Sequence, residues 1–227
     1  MNRNEADKAV SPSAPSLLSM EIGSDGWCLQ AQRHPSSNCD PRAADVVVDL
    51  LVIHNISLPP GQFGGHYIED LFANRLDFKA DPYFQQLQSL RVSAHFLIRR
   101  DGMLLQFVPT VARAWHAGVS CFAGRERCND FSIGIELEGT DFIPFDPAQY
   151  RTLALLTGAL RTRHPLTTVV GHEHVAPGRK TDPGPFFDWD DYRKLCIANA
   201  KASTGAGCAG MALRFHGDAS TTPKTDA

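Results

Sequence analysis

The chain has 227 residues, of which 43% are apolar and 21% are charged. These values are typical of a soluble globular protein and allow one sizeable core, so we expect one domain. A formal net charge of −3 and a pI near 6.3 leave no broadly basic face, which argues against nucleic acid as a partner. An anionic substrate would have to be received by a few local arginines.

Three features of the sequence predict a cytoplasmic protein. The six cysteines include no CxxC pair, so we expect reduced thiols rather than a disulfide framework. The N-terminal segment carries Glu5 and lacks the apolar centre of a secretory signal. No apolar run is long enough to span a bilayer, so we expect no membrane association.

Composition divides the chain into three parts. Residues 1–20 are polar and rich in Ser, Pro and Ala, which predicts a disordered arm. Residues 201–227 are rich in Gly, Ala, Ser, Thr and Lys, which predicts a disordered tail. The folded domain is therefore expected over residues 21–200, where no internal repeat is evident.

The first half of this domain begins with a strand and two helices. Residues 46–53 form a nearly unbroken apolar and β-branched run, typical of a strand covered on both faces. Helices are expected over residues 67–76 and 82–90, and the second has proline at its favoured first position.

A hairpin and a third strand follow. Residues 94–99 and 103–108 are strand-like and flank Asp101-Gly102, a strong turn signal. Residues 131–138 alternate, with three apolar side chains on one face and Gly134, Glu136 and Glu138 on the other.

The second half of the domain adds two helices and a short strand. Asp146 and Pro147 predict the start of a helix that runs to about residue 163. A strand over 167–170 and a helix over 190–200 complete the pattern. Strands and helices interleave around a hairpin, so we expect an α/β fold with a mixed sheet flanked by helices.

Three potential metal ligands lie where strands meet loops. His54 follows the run 46–53, His172 follows the strand 167–170, and Asp182 lies in a proline-rich loop. Catalytic zinc usually takes three protein ligands of these types and leaves one position for water. Spacing alone is a weak signal, because some of the nine histidines would fall at strand ends by chance.

Glu136 stands in an otherwise apolar strand. Such a carboxylate either faces solvent or is kept by a partner, because burial of an unpaired charge is costly. Beside a metal it could take a proton from water. Glu138 lies on the same face, where it could equally be part of an exposed polar surface, and strand geometry does not decide between the two.

Lys180 lies two residues before Asp182. If Asp182 binds a metal, the lysine belongs to the same neighbourhood and could stabilise an oxyanion, a role worth about 3 kcal/mol for one donor. A solvated loop lysine is the alternative.

Several long blocks of the sequence resemble the AmpD-type amidases of the N-acetylmuramoyl-L-alanine amidase type 2 family, over about residues 25–195. The blocks are VIHNISLPPGQFGG (52–65), RVSAHFLIRRDG (91–102), AWHAGV (114–119), GRERCNDFSIGIELEGT (124–140) and RKTDPGP (179–185). The resemblance implies a fold like that of peptidoglycan recognition proteins, with a mixed sheet flanked by helices.

The resemblance also implies roles for individual residues. It assigns zinc, Zn²⁺, to His54, His172 and Asp182, and it selects Glu136 over Glu138 as the catalytic carboxylate. Lys180 matches the lysine of the family's RKTDPG block.

Four further positions are implied as substrate contacts: Asn55, Arg91, Trp115 and Arg127. Asn55 would lie beside the metal, while the two arginines would receive peptide carboxylates, since a guanidinium pairs bidentately with a carboxylate. The indole of Trp115 would lie against a sugar or a peptide methyl group. Surface ion pairs and a core indole are the alternatives.

His174 departs from the pattern of close relatives. It lies two positions from His172, and strand-like alternation would place both imidazoles on the same side. His174 could therefore compete as a ligand, although the Gly-His context favours His172.

The implied function is hydrolysis of the bond between (1,6-anhydro-)N-acetylmuramic acid and L-alanine in muropeptides, during cytoplasmic recycling of the cell wall. Kinship further implies an influence on β-lactamase induction. The expected partner is a small muropeptide, with no obligate protein partner. Two alternatives are a non-catalytic muropeptide sensor and a thiol hydrolase using Cys121 or Cys128 with His116.

Overall fold

The computed structural model of the protein describes residues 19–203 and 212–218. Within these residues the α-helices are α1 Tyr67–Phe72, α2 Pro147–Arg163, α3 His172–Val175 and α4 Trp189–Ser203, and 3₁₀ turns span Pro82–Leu87 and Cys128–Asp130. The strands are β1 Gln32–Arg33, β2 Cys39–Pro41, β3 Leu50–Ile56, β4 Phe96–Ile98, β5 Leu104–Gln106, β6 Ala112–Ala114, β7 Cys121–Phe122, β8 Arg125–Glu126, β9 Ser132–Glu138, β10 Thr168–Gly171 and β11 Arg214–Phe215.

One seven-stranded sheet organises the fold, in the order β1-β5-β4-β9-β3-β10-β11. Adjacent strands of this sheet run parallel, except for β4 and β5, which form an antiparallel hairpin. Gly102 turns this hairpin with φ of +87°, a conformation that glycine adopts without strain. The predicted mixed sheet and the predicted hairpin are confirmed.

Strand β9 lies at the centre of the sheet, and all seven of its residues are buried. Its apolar side chains, Ile133, Ile135 and Leu137, join the core formed with α2 and α4. The alternate residues point to the opposite face, which is covered by α1 and by loops. Because side chains alternate along a strand, the polar residues of β9 lie on that second face.

Helix α2 begins where the sequence predicts. Asp146 precedes Pro147, and the Asp146 N–H donates to Gln149 Oε1 at 3.0 Å. The face that carries Tyr150 and Leu153 is buried against the sheet. The Tyr150 hydroxyl accepts from the Asp188 N–H at 2.7 Å, which ties the helix to the loop that leads into α4.

Several predicted elements have different bounds in the structure. α1 ends at Phe72 rather than near residue 76, because Asn74 takes a left-handed conformation with φ of 57°. The segment expected as a helix over 82–90 is a 3₁₀ turn, Pro82–Leu87. Strand β3 begins at Leu50 and runs to Ile56, so His54 lies inside the strand rather than after it.

The interpretation of Glu138 as part of an exposed polar surface is wrong. Glu138 is only 2% exposed, and its carboxylate accepts from Arg99 at 2.6 Å and from the Gly64 N–H at 2.7 Å. Arg99 also bonds Glu69 of α1 and the Gly65 carbonyl. This buried network attaches the loop that contains Gly64 and Gly65 to the sheet.

The predicted terminal segments lie mostly outside the described residues, which exclude 1–18, 204–211 and 219–227. At the edge of the predicted arm, Met20 is buried in the core. Within the predicted tail, β11 pairs with β10 and Phe215 is buried, so residues 212–218 differ from that prediction. No helix in the described part of the chain is long and apolar enough to cross a membrane.

We expect Arg99→Met to lower the free energy of unfolding by about 3–5 kcal/mol, because it leaves two buried carboxylates uncompensated. Arg75→Met is the matched control, since Arg75 pairs with Asp70 on the surface with its own side chain 64% exposed. Such a surface pair contributes about 0–1 kcal/mol. Urea unfolding of both variants measures the difference, and equal losses would contradict the role assigned to Arg99.

We also expect the metal-free protein to lose stability as pH falls from about 6.5 to about 4. Burial, reinforced by Arg163, lowers the pKa of His164 to about 4. The unfolded chain therefore binds the proton first, and folding stability falls in this range by up to about 1.4 kcal/mol per pH unit. His164→Gln, which keeps a partner for Thr110, should show a shallower slope in denaturant titrations, whereas an unchanged slope would exclude His164 as the source.

Candidate active site

Three polar side chains meet at one end of the sheet because neighbouring parallel strands end there. His54 lies near the end of β3, and Ile53 is in register with Gly171, after which His172 begins α3. Asp182 arrives from the following loop, where its carbonyl accepts from the Glu173 N–H at 2.9 Å. Gly171 permits this approach, since a Cβ there would lie 2.6 Å from the Pro183 ring.

The three side chains form a tight triangle of potential ligand atoms. His54 Nδ1, His172 Nδ1 and Asp182 Oδ2 are each 3.0 Å from the other two. Both imidazoles are almost fully buried, at 2% and 3% exposure. A tetrahedral zinc site with bonds of 2.0–2.1 Å places its ligands about 3.3 Å apart, so the donor set fits a small divalent cation.

The proton positions also fit a cation. His172 Nε2 lies 3.1 Å from the Ala117 carbonyl, which can only accept, so this nitrogen carries the proton and Nδ1 carries a lone pair. Lone pairs that converge on one point in a buried site repel unless they share a cation. His54, His172 and Asp182 therefore form a group that can hold a metal ion.

Electrostatics keep these groups in the forms that bind metal. Burial, with His172 beside it, lowers the pKa of His54 to about 4, so its imidazole is neutral at pH 7. Burial acts to raise the pKa of Asp182, but the close approach of His172 and His54 outweighs it and holds that pKa below its usual range. Neutral imidazole and ionised carboxylate are the ligand forms that metals require.

Glu136 lies beside this group on the neighbouring strand. It is in register with His54, and both residues lie on the same face of the sheet. Its Oε2 is buried without a hydrogen-bond partner among the described residues. Burial, followed by the charge of Asp182, raises the pKa of Glu136, while Lys180 acts to lower it. A buried carboxylate with a free oxygen is suited to accept a proton from a bound molecule.

Lys180 lies on the exposed side of this site. Its backbone N–H donates to the Ala176 carbonyl at 3.1 Å, and its side chain is solvent-accessible. Its charge acts to lower the pKa of both Glu136 and His54, so Lys180 belongs to the electrostatic surroundings of the three potential ligands.

Asn55 follows His54 in the chain, Trp115 precedes His116, and both side chains are held by hydrogen bonds. Asn55 Nδ2 donates to Asp141 Oδ1 at 2.6 Å and to the Pro183 carbonyl at 3.1 Å. The Trp115 indole donates to Asp40 Oδ2 at 3.3 Å. Asn55 thereby contacts the residue that follows Asp182, and Trp115 precedes His116, which contacts His54.

The two arginines predicted as substrate contacts differ in their surroundings. Arg127 lines a cavity of about 650 Å³ together with Arg113 and Arg179. Arg91 is exposed, and its guanidinium donates to the carbonyls of Gln88 and Leu90. Arg127 also forms a surface ion pair with Asp130 at 3.1 Å, and Glu126 lines the same cavity, whereas Arg91 contacts its own segment.

Sequence reasoning did not find Arg179, which donates to the Ala117 and Val119 carbonyls and lines that cavity. Nor did it assign a place beside the ligands to His116. The signal for His116 was Gly134, a glycine inside a central strand. A Cβ at Gly134 would collide with the His116 ring, and strand glycines often mark such close approaches.

The expectation that His174 lies on the same side as His172 is wrong. Residues 172–175 form a helical turn rather than an extension of the strand, so a spacing of two does not put side chains on one face. His174 Nδ1 instead accepts from the Gly171 N–H at 2.8 Å, and its ring stacks on His216 at a centroid distance of 3.4 Å.

The geometry does not favour a thiol nucleophile. Burial raises the pKa of Cys128, which disfavours the reactive thiolate. The ring nitrogens of His116 are engaged by His54 at 3.0 Å and by Ser132 at 3.2 Å, so neither is directed at a thiol.

Comparisons with protein families, curated proteins and solved structures all find N-acetylmuramyl-L-alanine amidases. Residues 44–185 match the family model described as N-acetylmuramoyl-L-alanine amidase. The 1,6-anhydro-N-acetylmuramyl-L-alanine amidase AmpD of Citrobacter freundii is 57% identical over 173 residues, covering 75% of this chain and 92% of that protein. AmpD of Escherichia coli (strain K12) is 56% identical over 172 residues, covering 75% and 94%. A crystal structure of a selenomethionine AmpD derivative superposes with a TM-score of 0.73 at 56% identity, covering 75% and 97%.

Titration with Zn²⁺ tests which side chains bind metal. We expect Asp182→Ala and His172→Ala to abolish binding of the single ion, since each removes one of three converging donors. His174→Ala is the matched control and should bind one Zn²⁺ per chain, as the wild type should. Loss of zinc in His174→Ala with retention in His172→Ala would reverse the assignment of the histidine ligand.

Proposed function

The chain belongs to the N-acetylmuramoyl-L-alanine amidase family, and we propose that it hydrolyses the amide bond between 1,6-anhydro-N-acetylmuramic acid and L-alanine in muropeptides. The printed names of its relatives describe that activity in those proteins. The observation that carries the proposal is the position of Glu136, whose Oε2 has no hydrogen-bond partner among the described residues, beside the converging His54, His172 and Asp182.

We propose zinc as the resident cofactor. Two imidazoles and a carboxylate are a usual donor set for catalytic zinc. The triangle contains no thiolate, the ligand type that is typical of structural zinc sites. Zinc held by His54, His172 and Asp182 would supply a Lewis acid that could polarise the scissile carbonyl and lower the pKa of a bound water to about 7.

Glu136 is the proposed general base and acid. Its buried carboxylate takes a proton from the attacking water and later returns it to the departing nitrogen of L-alanine. Burial raises the pKa of Glu136 above the usual range of a glutamate, which makes its carboxylate a stronger base toward water. The oxygen without a hydrogen-bond partner, Oε2, is the proposed site of the transferred proton.

Lys180 is proposed to stabilise the oxyanion that develops on the attacked carbonyl. An exposed ammonium group whose charge acts on Glu136 and His54 is suited to that role. Removal of one such donor costs about 3 kcal/mol of transition-state stabilisation.

Four side chains around the site are proposed to bind and orient the substrate. Asn55, oriented by Asp141, would contact the substrate beside the metal ligands. Trp115 would lie against a sugar or a peptide methyl group. Arg127 would bind a stem-peptide carboxylate at the cavity it lines after exchanging its present partner Asp130, and Arg91 would bind a second carboxylate after exchanging its carbonyl partners.

We propose that the reaction serves cell-wall recycling in the cytoplasm and thereby limits the muropeptides that induce β-lactamase. This setting rests on the resemblance of the sequence blocks to the AmpD-type amidases. Accumulation of anhydro-muropeptides in the cytosolic fraction of cells lacking the protein would support it, and unchanged muropeptide pools would contradict it.

Hydrolysis of anhydro-muramyl-tripeptide by the purified protein tests the activity. We expect release of free peptide that stops with a chelator, returns with Zn²⁺ and is indifferent to thiol alkylation. No release from a zinc-loaded protein would favour a binding role, and release that resists the chelator but not alkylation would favour a thiol hydrolase.

Glu136→Gln separates catalysis from metal binding. We expect this variant to bind Zn²⁺ normally while kcat falls by about 10²–10⁴, the usual contribution of a general base. Glu173→Gln is the control, since this neighbouring carboxylate has no proposed step and should retain turnover. Wild-type turnover in Glu136→Gln would remove Glu136 from the mechanism.

A further inference from the structure

We infer that His116 is a positioning residue that fixes the His54 imidazole in the tautomer whose Nδ1 faces the metal position. The inference rests on the proposed metal centre, and it gives a role to His116, which the proposed function does not use. Its basis is a directional chain of hydrogen bonds that starts at a backbone carbonyl and ends at His54.

The direction of each hydrogen bond follows from the one before it. The Cys128 carbonyl can only accept, so Ser132 Oγ, 2.6 Å away, donates its proton there. Ser132 Oγ therefore accepts from His116 Nε2, at 3.2 Å. His116 Nδ1 is then unprotonated and accepts from His54 Nε2, at 3.0 Å. With its proton on Nε2, His54 directs the Nδ1 lone pair toward His172 and Asp182.

The His116 ring is held in place from two sides. On one side it packs against Gly134 of β9, where any larger residue would collide with it. On the other side it meets the His54 ring edge-on, with ring centroids 5.0 Å apart and planes at 87°. This orientation points the ring edge at the Nε2 of His54, as a hydrogen bond between ring nitrogens requires.

The same short segment orients the second histidine ligand. The carbonyl of Ala117, the next residue, accepts from His172 Nε2 at 3.1 Å and from Arg179 at 2.7 Å. Asn129 Oδ1 accepts from the N–H groups of His116 and Ala117, at 3.1 and 2.8 Å, which fixes the segment. Residues 116–117 thus set the tautomers of both imidazole ligands.

Such partners matter because a ligand histidine binds metal only with the correct nitrogen free and the ring correctly oriented. Loss of a hydrogen-bond partner behind a metal ligand typically costs 10–100-fold in metal affinity. We therefore expect His116 to act on zinc affinity without contact with the ion or the substrate.

A matched pair of variants of similar size tests the inference. His116→Asn places Oδ1 near the position of the native Nδ1, so it can still accept from His54, whereas His116→Leu cannot. In competition with a chromophoric chelator, we expect His116→Leu to bind Zn²⁺ about 10–100-fold more weakly than the wild type. We expect His116→Asn to recover most of that loss. Equal affinity of His116→Leu and the wild type, or equal losses in both variants, would overturn the inference.

A measurement on the wild type keeps the test independent of folding in the variants. Long-range ¹H–¹⁵N correlation spectra of the zinc-loaded protein report the tautomer of each histidine. We expect a neutral His116 with its proton on Nε2 and a through-hydrogen-bond coupling from His54 Nε2 to His116 Nδ1. A proton on His116 Nδ1 would overturn the inference. Neither measurement uses substrate, so absence of amidase activity would contradict the proposed function and leave these results standing.

Discussion

The mutual approach of two imidazole nitrogens and a carboxylate oxygen to 3.0 Å is the constraint on which the site depends. Buried lone pairs at this separation repel one another, and a shared cation removes the repulsion. The strands and loops of the fold bring these donors together, and the other proposed catalytic residues would act beside the ion that the donors would hold. Glu136 lies in register with His54 in the sheet, and the charge of Lys180 in the exposed loop acts on the pKa of Glu136.

The parallel strands supply the rigidity that this convergence requires. β3 lies between β9 and β10, so the register that places His54 beside Glu136 also places Ile53 beside Gly171. The apolar residues of β9 are locked into the core on the other face. A movement of His54 relative to Glu136 along the strands would therefore require a shift of register, which would expose that core and bury polar groups.

Periodicity in the sequence was sufficient to predict the strands and helices that bury one face in the core. The alternation in β9, the hairpin at Gly102 and the capped start of α2 are present because each pattern is local and each buries one face. The 3₁₀ turn after Pro82 and the early end of α1 were not predictable, since each follows from tertiary packing and from single backbone angles.

For the site, the sequence predicted which residues take part but not the contacts that surround them. Sequence motifs led to the three residues that the structure brings together as potential ligands. They did not reveal the burial of Glu138 by Arg99, nor the helical turn that separates His174 from His172. Both depend on contacts between segments distant in the chain, which a single sequence does not encode locally.

Zinc K-edge X-ray absorption of the zinc-loaded protein tests the central claim most directly, because it identifies the ligand atoms and measures their distances. The account predicts two imidazole nitrogens at about 2.0–2.1 Å, with the remaining ligands oxygen atoms at about 2.0–2.2 Å. A zinc–sulfur distance of about 2.3 Å, or scattering from one imidazole only, would contradict a centre built from His54, His172 and Asp182.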